Sequence, residues 1–288
     1  MDHIVNANSR PKTTESFIHP AFLSQPKLKA HSGFLNSAWA LDSIVTEQVN
    51  KYVQDFKTGG GQKPHILFTG HSAGGAVSQL LYLHHIADQT LSESARFSCV
   101  TFGAPPCVTA PIDLSRYQPS GTTLCFNIIN EFDVVTRADK PYILSLVDLA
   151  RINLNLPPKT AFSDDESDEE IVNAALEATQ EEESKMTSKA TQKLQENLHP
   201  QDSNFWHLPK PSYHHVGSKV VLLMRLVEGE MNLRAVEVTP TEFRKLLFCR
   251  IAVHGKSRYG ERVDALEQGR FNGRIGWEAE RSHKGKHS

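Results

Sequence analysis

The sequence lacks any strong excess of one charge and any long apolar run. Its net charge is −2, so no overall basic field indicates a nucleic-acid partner. The longest uninterrupted apolar run, Val220 to Met224, is far too short to span a bilayer. The first residues, MDHIVNANSRPK, also lack the apolar stretch of a secretory signal. As written, the sequence therefore predicts a cytoplasmic protein without a transmembrane segment.

Cysteine is scarce as well. Cys99, Cys107, Cys125 and Cys249 are widely scattered, with no CxxC pair and no spacing typical of metal ligands. Three of them lie in or beside apolar, strand-like runs, where a free thiol usually packs as a small hydrophobic side chain. We therefore expect a reduced compartment, and neither a metal nor another cofactor.

Helical and strand-like segments alternate through the first half of the chain. Apolar side chains recur at helical spacing over residues 36–57, and a second helix is predicted over 73–87. Short apolar runs at 65–69, 96–105 and 122–130 read as buried strands. This alternation is typical of an α/β fold with a mostly parallel central sheet and flanking helices.

We expect a single domain over residues 1–268. Within it, ten of the 21 residues from Ser163 to Glu183 are acidic, and none is aromatic. Such a segment buries too little apolar area to offset its chain entropy, so we expect an acidic, disordered insertion at about 160–200. The residues from 269 to 288 are Gly-rich and basic, and are expected to form a loose tail.

Ser72 lies in a G-x-S-x-G pattern, GHSAG, between the predicted strand HILFTG and a predicted helix. A sharp strand–turn–helix connection of this kind presents a nucleophilic serine at the carboxyl end of a sheet. The helix N-terminus adds backbone N–H groups that suit a developing oxyanion, with Ala73 as the identifiable donor. The pattern favours Ser72 as a nucleophile over the alternative of a small residue at a tight turn.

A serine nucleophile needs a base and an acid that orients the base, here expected in the order Ser, Asp or Glu, His. Asp133 follows the predicted strand FNIIN and is the first choice for the acid, with Asp139 and Glu131 as alternatives. His214 and His215 lie just before the last strong strand. Spacing alone does not choose between these two histidines.

The sequence resembles the fungal-type class 3 lipases of the α/β-hydrolase fold. The matching stretches occur in the family's order between about residues 30 and 227: AHSGFLNSAWAL, HILFTGHSAGGAVSQLL, TFGAPPCV, IINEFDVVTR and YHHVGSKVVLL. The resemblance implies an α/β-hydrolase fold, with Ser72 as nucleophile and Asp133 as acid. It favours His215 as base, because the family's histidine tends to precede Val-Gly in this context.

The start of the sequence departs from the family's pattern. In the family, a strand ending in a Phe-Arg-Gly-Thr/Ser-like stretch precedes the lid and supplies an oxyanion donor, whereas here Met1 comes first. We therefore expect a chain truncated at its N-terminus, in which Ala73 is the remaining oxyanion donor. Such truncation would also remove any signal sequence. Residues 3–30 would form the lid region, and their apolar stretch SFIHPAFL offers transient contact with a lipid interface.

The resemblance implies a triacylglycerol lipase or carboxylesterase that cleaves acylglycerols or related lipid esters through an acyl-serine intermediate. The alternative is a catalytically impaired, lipase-like binding or signalling protein that lacks a complete oxyanion hole. Hydrolysis and acyl transfer to another acceptor are not separated by the residues themselves. The residues also do not determine the acyl chain length, the head group or the oligomeric state.

Overall fold

The computed structural model describes residues 10–14, 16–18, 28–57, 63–115, 124–153, 209–227, 230–268 and 274–275. The acidic insertion predicted at 160–200 and most of the lid region predicted at 3–30 lie outside these residues. The tail predicted at 269–288 lies outside them too, apart from residues 274 and 275.

Eight strands and six α-helices follow one another along the described residues. The strands are β1 (Pro11–Thr13), β2 (Lys29–His31), β3 (His65–His71), β4 (Arg96–Phe102), β5 (Cys125–Asn130), β6 (Ser218–Val227), β7 (Glu230–Val238) and β8 (Arg274–Ile275). The helices are α1 (Ser32–Lys57), α2 (Ala73–Ile86), α3 (Gln89–Ser94), α4 (Lys140–Asn153), α5 (Pro240–Lys245) and α6 (Lys256–Glu267).

The central sheet has six strands in the order β3-β4-β5-β6-β7-β8. Strands β3 to β6 are parallel to one another, β7 runs antiparallel to β6, and β8 is parallel to β7. Strands β1 and β2 form a separate antiparallel pair. A mostly parallel central sheet with flanking helices is the arrangement of the α/β-hydrolase fold, as the sequence predicted.

Helix α1 packs one apolar stripe into the core. Its buried side chains Leu35, Ala38, Val49 and Val53 and the half-buried Val45 lie at helical spacing on one face, and the helix lies against α2. Burial of each Leu or Val is worth about 1.5–3 kcal/mol, so this stripe is enough to fix the helix. Although α1 is 26 residues long, no helix in the described ranges is apolar enough to cross a membrane.

A buried polar network joins α2 to the sheet. Gln79 on α2 donates to Asn127 Oδ1 at 2.7 Å and accepts the Val216 N–H at 2.8 Å. Asn127 in turn donates to the Val216 carbonyl at 2.7 Å, and Thr101 donates to Asn127 at 2.8 Å. Because buried polar groups are costly when unpaired, this network fixes how α2 sits on β4 and β5. The first residue of α2 follows Ser72, so the network also positions the serine turn.

Strand β3 is one of the two edge strands among the described strands of the central sheet, the other being β8. Its Leu67 side chain is 54% exposed, whereas Phe68, on the opposite face, is buried in the core. An apolar strand at a sheet edge is expected to leave such a side chain in contact with water.

Candidate active site

Ser72 occupies the turn between β3 and α2. Its backbone has φ 58° and ψ −134°, a conformation that is strained for any residue with a side chain. The Ser72 N–H donates to the Phe102 carbonyl at the end of β4, at 3.0 Å, and this bond anchors the turn to the sheet. The sequence pattern therefore predicted the local geometry correctly.

Two of the glycines beside Ser72 are needed because the chain approaches itself closely. A Cβ at Gly70 would lie 2.5 Å from the Gly74 carbonyl oxygen, and one at Gly75 would lie 2.8 Å from Ala104 Cβ. A Cβ at Gly74 would meet no atom within 4 Å. The strained turn thus requires glycine at two positions and leaves the third open to a larger residue.

The imidazole of His254 lies between Ser72 and Asp133. His254 Nε2 is 2.8 Å from Ser72 Oγ, and Nδ1 is 2.9 Å from Asp133 Oδ2. Asp133 is fully buried and His254 is 7% exposed. An ionised carboxylate can only accept, so this network assigns the proton to Nδ1. Nε2 is then free to accept the Ser72 hydroxyl proton.

Short hydrogen bonds hold the Asp133 carboxylate in place. Asp133 caps the 3₁₀ turn Val134–Arg137, and Oδ1 accepts the Val135 N–H at 3.0 Å. Oδ2 accepts the Tyr259 hydroxyl at 2.6 Å. Burial raises the pKa of Tyr259 well above its usual value, so the phenol stays protonated and remains a donor. The carboxylate therefore has a fixed orientation toward His254.

Backbone bonds join the segment before His254 to the loop that carries Asp133. The Arg250 N–H donates to the Phe132 carbonyl at 2.8 Å, and the Val134 N–H donates to the Arg250 carbonyl at 3.2 Å. Asp133 and Arg250 form an isolated parallel bridge. Two loops that are distant in sequence are thus held side by side.

The side chains of Asn130 and His71 hold the backbone of the segment that ends at His254. Asn130 Nδ2 donates to the Val253 carbonyl at 2.9 Å, and His71 Nε2 donates to the His254 carbonyl at 2.8 Å. Burial lowers the pKa of His71, which favours the neutral ring next to His254. His71 therefore contacts the backbone of His254 and makes no bond to the Ser72 hydroxyl.

The histidine expected from the sequence requires a correction. The structure does not bring His215 to Ser72. The residue is only 5% exposed, and its Nε2 donates to the Ala104 carbonyl at 3.0 Å. The ring also packs edge-on against Phe243, with 5.7 Å between centroids. Burial lowers the pKa of His215 well below its usual value. The position expected for His215 is occupied by His254.

The remaining alternatives lie elsewhere. His214 forms an antiparallel bridge with Val108, and its backbone N–H donates to the Val108 carbonyl. Asp139 accepts the N–H groups of Tyr142 and Ser212, so it caps the start of α4. Glu131 accepts the Met224 N–H at 3.1 Å. None of these three side chains is hydrogen-bonded to Ser72 or His254.

Sequence reasoning did not point to His254 because it took β6 as the last strong strand and did not consider β7. Strand β7 follows β6 and shows a strand-like alternation of apolar residues, EMNLRAVEV. A base carried on a late loop should therefore be sought after β7, where the sequence CRIAVHGKSRYG contains His254. His215 precedes a parallel strand, whereas sites in parallel sheets form at the carboxyl ends of strands.

Ala73, the expected oxyanion donor, is the first residue of α2. The N–H groups of Gly75 and Ala76 bond to the Ser72 carbonyl, whereas the N–H at the first helical position has no acceptor within its helix. The partial positive charge of the helix N-terminus adds to this donor. The role of Ala73 as an oxyanion donor stays a prediction.

Comparison with known proteins shows a likeness between part of the chain and one family. The family model described as Lipase (class 3) matches residues 2–142, just under half of the chain. This segment includes Ser72 and Asp133, whereas His254 lies beyond it. A comparison with curated proteins gave no match.

Solved structures include several lipases with a partial likeness to this chain. Rhizomucor miehei triacylglyceride lipase is 24% identical, covering 46% of this chain and 44% of its own, with a TM-score of 0.33. The lipase from Rhizopus microsporus var. chinensis is 21% identical, covering 39% and 37%, with a TM-score of 0.31. M37 lipase is 21% identical, covering 62% and 52%, with a TM-score of 0.39. The chain spans at most about half the length of these three proteins. Over residues 2–142, the chain is therefore similar to the class 3 lipases.

Proposed function

We propose that this chain is a serine hydrolase of the lipase or carboxylesterase type, which cleaves acylglycerols or related lipid esters through an acyl-Ser72 intermediate. The observation that carries the proposal is the unbroken chain of hydrogen bonds from Ser72 through His254 to Asp133. A triad of this geometry supports acyl transfer in general. The family match over residues 2–142 supports a lipid ester as the substrate class.

In the first half of the reaction, His254 Nε2 takes the Ser72 hydroxyl proton while Oγ attacks the ester carbonyl carbon. The carbonyl oxygen becomes an oxyanion near the Ala73 N–H and the N-terminus of α2. The imidazolium then gives its proton to the departing alcohol as the carbon–oxygen bond breaks. The products of this half are an alcohol and an ester on Ser72.

In the second half, water replaces the alcohol. His254 Nε2 takes a proton from water, whose oxygen attacks the acyl carbon, and the imidazolium then protonates Ser72 Oγ as the acid departs. Asp133 holds the proton on Nδ1 and stabilises the transient imidazolium, and it stays ionised throughout. The Tyr259 hydroxyl keeps the carboxylate aimed at Nδ1 during both halves.

The test compares the parent chain with Ser72→Ala and with Ser78→Ala, which also lies on the α2 side of the turn. Ser78 donates to the Thr69 carbonyl and has no bond to His254, so its replacement controls for changes in the helix. Hydrolysis of short-chain p-nitrophenyl esters and labelling by a fluorophosphonate probe should be lost in Ser72→Ala and retained in Ser78→Ala. Diacylglycerol and triacylglycerol substrates then test the lipid class.

Ester hydrolysis that persists in Ser72→Ala would contradict the proposal. A folded parent chain that neither hydrolyses esters nor reacts with the probe would favour the alternative, a lipase-like binding protein without catalytic activity. Formation of new esters when an alcohol is added would assign acyl transfer in place of simple hydrolysis.

A further inference from the structure

A surface cavity of about 620 Å³ lies beside the catalytic histidine segment and is separate from the triad. Strands β6 and β7, the segment just before His254 and helix α6 contribute its walls. Ser72, Asp133 and His254 are not among the lining residues. Its volume falls within the range of about 300–1,000 Å³ that is usual for small-molecule sites.

The cavity carries an excess of positive charge. Three arginines, Arg250, Arg258 and Arg262, are among its lining residues, with Glu261 as the single acidic residue. Glu261 pairs with Arg258 at 3.1 Å, and both of these side chains are largely exposed. Apart from this pair, Arg250 and Arg262 also line the cavity, and no second acidic residue is among its lining residues.

Arg250 and Arg262 are held by groups other than a paired carboxylate. The Arg250 guanidinium lies over the Phe132 ring at 5.0 Å, and Arg262 donates to the Leu222 carbonyl at 2.9 Å. Within the described residues, neither forms an ion pair with a carboxylate. Burial lowers the pKa of Arg262, and the nearby negative charges of Glu131, Asp133 and Glu261 offset only part of that effect. An anion with oxygen acceptors would match both guanidinium groups.

The rest of the lining is mainly apolar. Met224, Leu233 and Val253 contribute aliphatic or thioether side chains, and Ala265 on α6 adds a methyl group. Leu233 is buried, whereas Met224 is 39% exposed. An apolar wall next to guanidinium groups favours a ligand that has both an alkyl chain and an anionic head.

We infer that this cavity binds an anionic amphiphile, a single alkyl or acyl chain that ends in a carboxylate or phosphate group. An alkyl chain that ends in a carboxylate is a fatty acid, which the proposed hydrolase would release. The identity of the natural ligand therefore rests on the proposed function, whereas the existence of the binding site is independent of it. The cavity wall includes Val253, which precedes His254 in sequence and is hydrogen-bonded to Asn130. A ligand bound here would therefore contact the segment that positions the catalytic imidazole.

Calorimetric titration of the full-length Ser72→Ala variant tests the inference, because this variant cannot turn over an ester through Ser72. The three probes are dodecanoate, dodecyl phosphate and dodecanol, each kept below the concentration at which it forms aggregates. We expect a single bound molecule of either anion, with dodecanol weaker by about tenfold or more, since a lost charge-assisted contact is worth at least about 1.4 kcal/mol. Tighter binding of dodecanoate would indicate a free fatty acid as the natural source, and tighter binding of dodecyl phosphate a phosphorylated lipid.

Variants in the Ser72→Ala background locate the site. The double replacement Arg250→Gln with Arg262→Gln should weaken anion binding about tenfold or more and leave dodecanol binding unchanged. Ala265→Trp fills the cavity and should abolish binding of all three probes. Arg10→Gln, which removes an exposed arginine outside the cavity lining, should change nothing. Circular dichroism confirms that each variant is folded.

Two results would overturn the inference. Equal affinity for dodecanol and the two anions would show that the guanidinium groups recognise no charge. Anion binding that survives both the double replacement and Ala265→Trp would place the ligand elsewhere, including in the acyl site beside residue 72. If the parent chain hydrolyses no ester, the binding measurements can still be made and still test this inference. Failure of the proposed function is therefore distinguishable from failure of the inference.

Discussion

His254 Nε2 lies 2.8 Å from Ser72 Oγ, although 182 residues separate the two in sequence. The β6–β7 hairpin and helix α5 carry the chain back toward the loop that follows β5. The bridge between Asp133 and Arg250 then sets the segment before His254 beside the acid. The His254 side chain is therefore positioned by backbone pairing between its own segment and the loop that carries Asp133.

Replacement of the two competing histidines should give opposite results. His254→Ala removes the group that accepts the Ser72 proton, so kcat should fall by about four orders of magnitude or more with the fold retained. His215→Ala removes a buried ring and leaves the Ala104 carbonyl without its donor, which should lower the free energy of unfolding by about 1–3 kcal/mol. Its kcat per folded molecule should stay close to that of the parent chain. Ester hydrolysis and urea denaturation measured on the same preparations separate the two effects.

The reverse pattern would contradict the assignment of the base. If His215→Ala abolished turnover in a folded protein while His254→Ala remained active, the base would be His215. Labelling by a fluorophosphonate probe gives an independent readout, since the rate of Ser72 modification depends on the base and requires no ester turnover.

Tyr259→Phe should slow turnover because Asp133 loses a hydrogen bond to its carboxylate. The same hydroxyl accepts the Asn130 N–H at 3.0 Å, so the variant also leaves a buried donor unpaired. Hydrogen bonds to charged groups are worth about 1.5–3 kcal/mol, and loss of part of this in the transition state predicts about a tenfold lower kcat. The KM should change little, since Tyr259 is not placed to contact substrate.

Tyr142→Phe is the matched control for this prediction. Its hydroxyl donates to the Phe248 carbonyl at 3.1 Å and accepts the Phe248 N–H at 2.9 Å, so the same number of bonds is lost but none of them is to a carboxylate. We expect a comparable loss of stability with a smaller effect on kcat. Equal losses of kcat in the two variants would assign Tyr259 a merely structural role.

The two glycines Gly103 and Gly74 should respond differently to alanine. Gly103 has φ 59°, and a Cβ there would lie 2.9 Å from the Tyr259 hydroxyl and 3.0 Å from Asp133 Oδ2. Gly103→Ala should therefore displace the acid and lower kcat by about tenfold or more, and the strained backbone should cost about 1–3 kcal/mol of stability. Gly74→Ala should be tolerated or slightly stabilising, because the added methyl group meets no atom within 4 Å and alanine is the better helix former. Thermal unfolding and steady-state kinetics of both variants check this, and an inactive, folded Gly74→Ala would show that the turn is tighter than described.

The sequence allowed prediction of those parts of the site that depend on neighbours in the chain. The turn at Ser72 follows from a strand, small residues and a helix within a short stretch, and the structure places it between β3 and α2. Asp133 lies in the loop just after β5, so it could be proposed from the sequence once the end of that strand was recognised. Both predictions depended on patterns that extend over fewer than about twenty residues.

His254 could not be located in the same way because its position depends on long-range pairing. The bond between the Arg250 N–H and the Phe132 carbonyl joins segments more than a hundred residues apart, and no local pattern encodes it. The requirement for glycine at position 103 is of the same kind, since it arises from Tyr259 on α6. His215 was attractive because it lies next to a strong strand, but the Gln79 network and the bridge at Val108 hold that segment against the sheet.

Stability should fall as the pH drops below the ordinary pKa of histidine, and His215 should account for part of the fall. Burial lowers the pKa of His215 in the folded state, and it lowers those of His85 and His214 as well. At a pH below about 6.5 the unfolded chain binds protons that the folded chain does not, so the free energy of unfolding decreases with decreasing pH. Above that pH both states are neutral at these rings, and their contribution does not change.

Urea denaturation between about pH 5 and pH 8 measures this dependence, with a slope of at most about 1.4 kcal/mol per pH unit for each such histidine. His215→Gln keeps a donor near the Ala104 carbonyl and removes the titrating ring, so its slope below about pH 6.5 should be smaller than that of the parent chain. An equal slope in the two proteins would show that His215 takes up a proton without unfolding. In that case its ring would be accessible to water, and the burial that separates it from Ser72 would be incomplete.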